Sequence, residues 1–321
     1  MAIRLKKNEN FRLNFKLFEN ELKLKTKNFL ENPGLYQKLN LSENIIIAEE
    51  VLIGMSLVAC GFYFLGNVFL YDRRKKQFLH RNYQSFLQRG FSFQGYPENG
   101  FWTFDKNPIR FSYRSDLTLE HGYLHSSIID PSINLQLDTL VNLSEKNVNK
   151  VSSILEFPSG KIFSERAIGY PCQGVVSWND KVYDFSPKTD KLISFFSAGN
   201  CPDLQYISLY FLGSQKKSQT IAGFFSNRLD EKNHSENIVW KNGKPIRFQS
   251  LDFNLNKSQK TCTMKNSNCE LRFIPENYIV QKIPGKFFPI EKFKIFGKVS
   301  GKIRLGNISE SIKEVDAFFE F

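Results

Sequence analysis

The sequence predicts an all-β fold, with two antiparallel β barrels or sandwiches in tandem. Aromatic residues make up 15% of the 321 residues, with 32 Phe and 12 Tyr, and this excess favours strands over helices. Apolar and polar residues alternate in many short runs that end at turn residues. No stretch combines the length and the period of an amphipathic helix. A polar connector, Leu143–Val151, predicts the boundary between two domains, residues 1–150 and residues 151–321.

The first half of the chain contains a series of short predicted strands. The alternating segment FRLNFKLF, residues 11–18, predicts an outer strand. Later strands alternate cleanly and are separated by Gly, Pro, Asn and Asp residues, at Gly90–Phe93, Gly100–Phe104, Ile109–Tyr113, Leu117–Leu119 and Ile133–Val141. We therefore expect residues 1–150 to form a β domain.

The run Val51–Tyr71 allows two interpretations. Its 21 residues carry no formal charge and precede the basic segment DRRKK, as a membrane helix with a cytoplasmic stop would. Its glycines and its β-branched and aromatic residues instead favour two buried strands with a turn at Gly66-Asn67. We predict the hairpin, with Asp72–Lys76 as the next exposed turn, and keep a single membrane span at 51–71 as the alternative.

The second half contains the most distinctive stretch, Ile221–Phe253. It predicts strands at Ile221–Ser226 and Glu236–Trp240, a tight turn at Asn242-Gly243, and a returning strand at Pro245–Phe253. The Asn-Gly pair is a strong hairpin signal because both central positions of the favoured turn take positive φ. Further predicted strands are Gly174–Trp178 with Lys181–Phe185 across an Asn179-Asp180 turn, Tyr206–Leu212, Glu270–Ile274 ended by Pro275, and a final strand Phe293–Arg304.

The charge balance bears on possible partners. Lys and Arg total 44 against 32 acids, and the isoelectric point is near 9.3. Such a balance suits nucleic acid, an anionic membrane surface or solubility alone. No segment matches an RNA-binding motif, so we expect no nucleic-acid partner. The final strand alternates basic and apolar residues, and this strand and the basic N-terminal segment, residues 1–28, are the candidates for contact with an anionic membrane.

Cysteine and histidine spacing gives no metal or redox motif. Five scattered Cys without CxxC spacing predict reduced thiols and a cytoplasmic location, although Cys262 and Cys269 could face each other across a hairpin. His121 and His125 have the spacing of ligands on a helix, but their surroundings are rich in strand formers. No secretory signal, catalytic Ser-His-Asp order or phosphate-binding glycine loop is recognisable. We expect no metal and no cofactor.

The order of motifs in the second half resembles a known family. GVVSWNDKVYDFSP, SAGNCP, IAGFFSN, HSENIVWKNGK, CELRFIPE and FKIFGKVSGKI follow one another as in the domain-of-unknown-function family 2804. The segment from NIIIAEE to GNVFLYDRRKKQF resembles its opening hairpin. Family members tend to carry tryptophan near SAGNCPDLQY, and this chain has none there. The matching positions are Gly223, Asn227, Glu236, Asn237, Gly243, Phe273, Pro275, Phe296, Gly297, Ser300 and Gly301.

The resemblance implies a fold and a ligand class. The family is similar to the double lipocalin-like folds of carotenoid hydratases and tocopherol cyclases, which hold isoprenoid or lipid ligands between two β domains. The expected architecture is therefore two tandem lipocalin-like barrels. The expected partner is an apolar small molecule held by aromatic strands and a few polar groups.

Three functions remain open from the sequence. The first is binding of the apolar ligand, the second is an acid-base lyase, hydratase or cyclase that acts on it, and the third is attachment to a membrane surface. Glu236 is the candidate acid, because a carboxyl group kept neutral in an apolar site can protonate a double bond. A Glu-Asn pair at a strand start also commonly caps loop backbone. The candidate ligand-binding residues are Asn227, His234, Asn237, Tyr206, Trp178 and Trp240.

Overall fold

The computed structural model describes residues 38–60, 63–86, 90–96, 99–116, 123–142, 151–157, 160–189, 191–200, 207–215, 219–229, 235–256, 261–283 and 290–320. Apart from a short 3-10 helix, Pro131–Ile133, the regular structure of these residues is β-strand. The predicted all-β fold is thereby confirmed, whereas the predicted strand at residues 11–18 lies outside the described residues.

The first sheet contains 13 strands. Its path runs β4-β3-β2-β1-β13-β11-β9-β8-β7-β6-β5, and β10 and β12 each pair with β11. The strands are β1 Lys38–Ile47, β2 Val51–Cys60, β3 Tyr63–Asp72, β4 Gln77–Phe86, β5 Phe91–Tyr96, β6 Asn99–Lys106, β7 Ile109–Asp116, β8 Tyr123–Asp130, β9 Leu135–Asn142, β10 Val151–Phe157, β11 Gly160–Trp178, β12 Lys181–Phe185 and β13 Lys191–Asn200.

This first sheet curls until its two ends face each other. Although β4 and β5 end the path, Phe64 of β3 stacks on Phe91 of β5 with ring centroids 3.8 Å apart. Tyr83 of β4 contacts Phe111 of β7 at 6.2 Å between centroids. Contacts between the ends of a sheet require a barrel-like curvature, which encloses an interior lined by alternate residues of each strand.

The second sheet has nine strands, in the order β17-β16-β15-β14-β22-β21-β20-β19-β18. One face covers an apolar core that includes Leu209, Phe225, Leu271, Phe273 and Phe319. The strands are β14 Ser208–Gln215, β15 Gln219–Ser226, β16 Ile238–Lys241, β17 Lys244–Arg247, β18 Asp252–Asn256, β19 Thr261–Asn266, β20 Cys269–Ile283, β21 Ile290–Leu305 and β22 Ile308–Glu320.

The described residues fall into two compact units. A first unit lies within Glu9–Val148 and Ser164–Gly199, and a second unit lies within Asn149–Phe163 and Asn200–Phe321. The first sheet thus takes strands that follow residue 151. The division into domains 1–150 and 151–321 stays a prediction.

The apolar run Val51–Tyr71 forms a hairpin, as predicted, but its turn is elsewhere. Gly66 and Asn67 lie inside β3, opposite Leu57 and Ser56 of β2, so the predicted turn at Gly66-Asn67 is wrong. A glycine within a strand leaves room for a neighbour, and the Tyr83 ring lies 3.4 Å from where a Gly66 Cβ would stand. Among the described residues, no helix has the length and the apolar character needed to cross a membrane.

Two tight turns agree with the sequence. Asn242 and Gly243 have φ of 51° and 74°, and β16 and β17 pair directly across them. Asn179 and Asp180 have φ of 48° and 63° between β11 and β12. Both turns were therefore predicted correctly, because each is formed by residues that tolerate positive φ.

Three other expectations about the second sheet are wrong. The returning strand Pro245–Phe253 is broken into β17 and β18, because Phe248 and Leu251 turn into the apolar core between them. Pro275 does not end β20 but lies at a shift in register, where its missing N–H costs no ladder hydrogen bond. Phe293–Arg304 is not the final strand, because β22 follows it and pairs with both β21 and β14.

Cys262 and Cys269 do not face each other. Cys262 lies opposite Phe273, and Cys269 lies opposite Asn266, because the β19–β20 turn is closer to Cys269. Both residues are buried free cysteines.

Candidate functional site

Glu236, the predicted acid, lies in a buried polar cluster between β15 and β16. The Ser226 hydroxyl donates to Glu236 Oε1 at 3.3 Å, and Arg228 Nη1 lies 3.9 Å from the same oxygen. Glu236 and Ser226 are almost fully buried, and Arg228 is only 8% exposed. Buried charges in proteins are held by partners of this kind. The cluster therefore ties the loop that carries Arg228 to the sheet.

The two predicted asparagines bond to the backbone. Asn237 accepts from the Ser226 N–H through Oδ1 at 2.7 Å and donates through Nδ2 to the Gln249 carbonyl at 3.0 Å. The exposed Asn227 accepts from the Ile207 N–H at 2.9 Å. Side-chain amides that replace ladder hydrogen bonds hold strand ends together. These contacts fit the capping role that the sequence left open.

The predicted aromatic residues are distributed over both sheets. Trp240, 2% exposed, lies opposite Ala222 in the second sheet. Trp178, 8% exposed, ends β11 in the first sheet. His234 and Tyr206 lie outside the described residues. Their roles, like those of the other predicted site residues, stay predictions.

A row of buried polar residues crosses the face of the second sheet that is turned away from its apolar core. Ser226, Ser208, Glu320 and Lys294 lie directly opposite one another on the successive strands β15, β14, β22 and β21. Lys294 Nζ lies 3.3 Å from Glu320 Oε1, and the Ser208 hydroxyl donates to Glu320 Oε2 at 3.4 Å. The row continues through Ser226 to Glu236 and its partner Arg228. The negative charges of Glu236 and Glu320 therefore offset the positive charges of Arg228 and Lys294.

This row was not predictable from local sequence patterns, for two reasons. Lys294 belongs to the basic alternation of Phe293–Arg304, which resembles a solvated face, yet its side chain is buried. Glu320 lies on β22, a strand that was not predicted.

The basic residues of β21 differ in their exposure. Lys298 is bonded to Asp316 at 2.6 Å, whereas Lys302 and Arg304 are exposed. The basic strand is therefore only partly available to a membrane, and membrane contact stays a prediction.

The interior of the first sheet contains a second polar cluster, centred on Tyr113 of β7. Its side chain hydrogen-bonds with Ser42 and Asn44 of β1 and with Ser115 of β7. Ser126 of β8 lies directly opposite Tyr113, so both point to the same face. All five residues are buried. They were not predicted, because each is a single polar residue within an otherwise ordinary strand.

The carboxyl group of Glu165 acts on Tyr113 and also on a second buried tyrosine, Tyr170. Burial raises the pKa of Tyr113 to about 12, and the negative charge of Glu165 acts in the same direction. Burial also raises the pKa of Tyr170 well above its usual value, again with a contribution from Glu165. Glu165 itself is 7% exposed. A buried carboxyl group and two protonated phenols therefore lie in the first unit.

Two polar atoms near Tyr113 have no hydrogen-bond partner among the described residues. They are Asn44 Oδ1 and Ser126 Oγ, and both residues are at least nine-tenths buried. Because Asn44 Oδ1 has no partner, the hydrogen bond between the Asn44 side chain and Tyr113 is made by the amide nitrogen, Nδ2. Buried polar groups in native proteins are nearly always hydrogen-bonded, so each such atom calls for a water or a ligand.

Aromatic rings surround the Tyr113 cluster. Trp102 of β6 lies opposite Tyr113, with centroids 6.4 Å apart, and its edge meets the Phe91 ring at the same distance. Phe104 contacts both Phe64 and Tyr83, at 5.4 and 6.0 Å. A few polar groups on an aromatic wall form the usual lining of a site for an apolar ligand.

No metal centre is evident in the described part of the chain. No group of three or more His, Cys, Asp and Glu residues there could hold an ion. His125 lies on β8, and its Nε2 is 3.1 Å from Asp138 Oδ1, whereas His121 lies outside the described residues. The pair is a cross-strand contact between neighbouring strands β8 and β9.

Solved structures share the fold at low sequence identity. Kievitone hydratase from Nectria haematococca superimposes with a TM-score of 0.61 and 10% identity, over 90% of each chain. CghA with Sch210972 gives 0.57 and 8% identity over 88% of each chain. An AttH-like protein from Nitrosomonas europaea gives 0.52 and 7% identity, over 88% of this chain and 92% of its own. These similarities confirm the lipocalin-like fold and, at such identity, nothing further.

The sequence comparisons place the chain in a family without an assigned activity. No curated protein matches it. The model of the domain of unknown function DUF2804 matches residues 36–320, which is most of the chain. The resemblance identified from the motifs of the second half is confirmed. The chain belongs to the DUF2804 family.

Proposed function

We propose that the chain binds an apolar small molecule of lipid or isoprenoid type in the interior of the first sheet. One observation carries the proposal: Asn44 Oδ1 and Ser126 Oγ are buried without a partner beside Tyr113, on an aromatic-lined face. A buried polar atom that lacks a partner costs about 1–3 kcal/mol, which a bound ligand can recover. The aromatic rings supply the apolar contact area.

The two sheets differ in a way that supports this location. The core of the second sheet contains a large cluster of apolar residues, with Phe211, Phe273 and Phe319 fully or almost fully buried. The polar row on its other face is internally bonded. Tyr113 and its neighbours instead form a polar group within an interior that also contains aromatic and aliphatic residues, such as Trp102 and Ile128. Such convergence of a few polar groups is typical of ligand sites.

Native mass spectrometry tests the proposal. The protein is purified without detergent, and its mass is measured before and after extraction with organic solvent. We expect additional mass that the solvent removes, and the extract identifies the ligand. Ser126→Leu fills the polar end of the site and should lose the additional mass. Ser92→Leu, at an exposed position of β5, is the matched control and should keep it. A bare mass throughout, with apolar probes also failing to bind, would contradict the proposal.

A second candidate function is acid catalysis on the same ligand, of the lyase, hydratase or cyclase type. It is favoured by Glu165, a buried carboxyl group that lies near Tyr113 and Tyr170. In a hydratase, a carboxylic acid gives its proton to one carbon of a double bond, and water adds to the other carbon and returns a proton to the carboxylate. The structural similarity to kievitone hydratase is compatible with this chemistry.

Substitution of Glu165 separates catalysis from binding. Incubation of the extracted ligand with the wild type should give a product whose mass differs by one water, or an isomer if a ring closes. We expect Glu165→Gln to keep the ligand and to form no product. A wild type that leaves the ligand unchanged would exclude the enzymatic function and leave binding. Equal turnover by Glu165→Gln would exclude Glu165 as the acid.

A further inference from the structure

We infer that the ligand carries a hydroxyl group at its polar end, so that the ligand class is an apolar alcohol rather than a carboxylic acid or a phosphate ester. The inference rests on the proposed function and specifies the chemistry of the same site. It follows from the hydrogen-bonding capacity that the Tyr113 cluster leaves unused.

The two atoms without partners have complementary requirements. Asn44 Oδ1 is a carbonyl-type oxygen, so it can only accept a hydrogen bond. Ser126 Oγ can donate one as well as accept. A ligand hydroxyl has both capacities, because it can donate to Asn44 Oδ1 and can accept from Ser126. A ketone or an ether can accept from Ser126 but leaves Asn44 Oδ1 unsatisfied.

The surrounding charges disfavour an anionic ligand. A carboxylate has acceptor oxygens only and would place a further acceptor against Asn44 Oδ1. The nearby charge of Glu165, which helps to raise the pKa of Tyr113, would also repel it. Arg166, the next residue of β11, is buried, and its Nη1 donates to Ser164 Oγ at 3.0 Å.

Three probes with one hydrocarbon chain test the inference: farnesol, farnesyl methyl ether and farnesoic acid. Isothermal titration calorimetry with the full chain at pH 7.5 gives their affinities. We expect farnesol to bind roughly tenfold more tightly than the ether, because the ether cannot donate to Asn44 Oδ1. Farnesoic acid should bind more weakly than either, because its carboxylate is ionised at this pH.

Substitutions of Asn44 and Ser126 test whether these residues cause the preference for farnesol over farnesyl methyl ether. Asn44→Leu removes the acceptor and should bind farnesol and the ether equally, with little change for the ether. Asn254→Leu, an exposed asparagine of β18 in the second sheet, is the control and should keep the tenfold preference. Circular dichroism checks the fold of each variant. If Asn44→Leu fails to fold, Ser126→Ala serves instead, and it should weaken the binding of both farnesol and the ether.

The outcomes separate this inference from the proposed function. Equal affinity of the wild type for farnesol and its ether would overturn the inference and leave apolar binding in place. Tighter binding of farnesoic acid would overturn it in the same way. If none of the three probes binds and the purified protein carries no extractable mass, the proposed function itself fails. Retention of the preference in Asn44→Leu would show that the hydroxyl is recognised elsewhere.

Discussion

Asp72 shows how a single buried carboxylate joins distant parts of the first unit. It ends β3, and its Oδ2 accepts from Tyr183 Oη at 2.6 Å and from Lys181 Nζ at 2.8 Å. Its Oδ1 accepts from the N–H groups of Arg74 and Lys75 in the following turn. Burial by itself would raise the pKa of Asp72, but these hydrogen bonds outweigh burial and hold the pKa well below its usual value.

We expect this carboxylate to make the protein sensitive to acid. Because its folded pKa is lower than its unfolded pKa, its contribution to stability is present above about pH 4 and is lost as the pH falls further. Asp72→Asn should lower the free energy of unfolding at pH 7 by about 2 kcal/mol. Urea unfolding curves from pH 7 to pH 2.5 should show this difference shrinking below pH 4. A difference that is constant over the whole range would contradict the assignment.

The cysteine thiols of the second unit should be chemically inert in the folded state. Burial raises the pKa of Cys262 and of Cys269 to about 12, with a further contribution from Glu270 at Cys269. Since the thiolate is the reactive form, neither should react with a disulfide reagent at pH 8 until denaturant is added. Peptide mapping after labelling identifies the modified positions. Rapid labelling of either residue in the native protein would show that this core opens.

Glu236→Gln tests whether the predicted acid is structural or catalytic. The substitution leaves Arg228 buried without the opposing charge of Glu236, so a structural role predicts a loss of about 3 kcal/mol in the free energy of unfolding. A catalytic role predicts lost turnover with ligand retention and stability unchanged. Thermal melting and native mass spectrometry of the same sample separate the two. The contacts of Ser226 and Arg228 favour the structural result.

At the level of strands, close packing explains one of the glycines in the family motif. A Cβ on Gly223 of β15 would stand 2.3 Å from Cε1 of Phe211, a fully buried ring on β14. The glycine therefore makes room for an aromatic side chain on the neighbouring strand. This is a packing role, and it requires no ligand.

We expect Gly223→Ala to destabilise the second unit by about 2 kcal/mol, because the new methyl group overlaps the Phe211 ring. Phe211→Leu removes the ring and creates space. The double variant should therefore lose less stability than the sum of the two single losses, by about 1 kcal/mol in a double-mutant cycle. Additive losses would show that the ring and the glycine do not interact.

The sequence predicted strands and turns better than it predicted where strands begin and end. Asn242-Gly243 was predictable because tight hairpin turns need positive φ. Gly66-Asn67 satisfied the same local criterion but lies within β3, where Gly66 accommodates Tyr83 of the next strand. That requirement comes from packing. The strand β22 was missed because its polar residues obscure the alternation, and only its last residues, 317–320, form a continuous buried run.

The candidate site was less predictable than the strands for the same reason. Asn44, Tyr113 and Ser126 are each ordinary residues of an alternating strand, and they meet only because the first sheet curls on itself. Such long-range closure leaves no signature in local spacing. The motif around Glu236 was conspicuous in the sequence, yet its side chains bond mainly to one another and to the backbone.

At the scale of the whole molecule, the two units differ in what their sheets enclose. The second sheet encloses an apolar core, with Met264, Leu271 and Val299 fully buried. The first encloses aromatic rings together with polar groups, two of whose atoms have no partner among the described residues. We therefore assign ligand binding to the first unit. The cytoplasmic location and the contact with an anionic membrane stay predictions from the sequence.

The most direct test of this account is contact quenching of single-tryptophan variants. The chain has three tryptophans, so one variant keeps Trp102 of the first sheet and another keeps Trp240 of the second. Each is titrated with long-chain alcohols that carry bromine, which quenches fluorescence only at contact. We predict saturable quenching of Trp102, which lies opposite Tyr113, and none of Trp240. Saturable quenching of Trp240 with Trp102 unaffected would contradict the placement of the ligand in the first sheet.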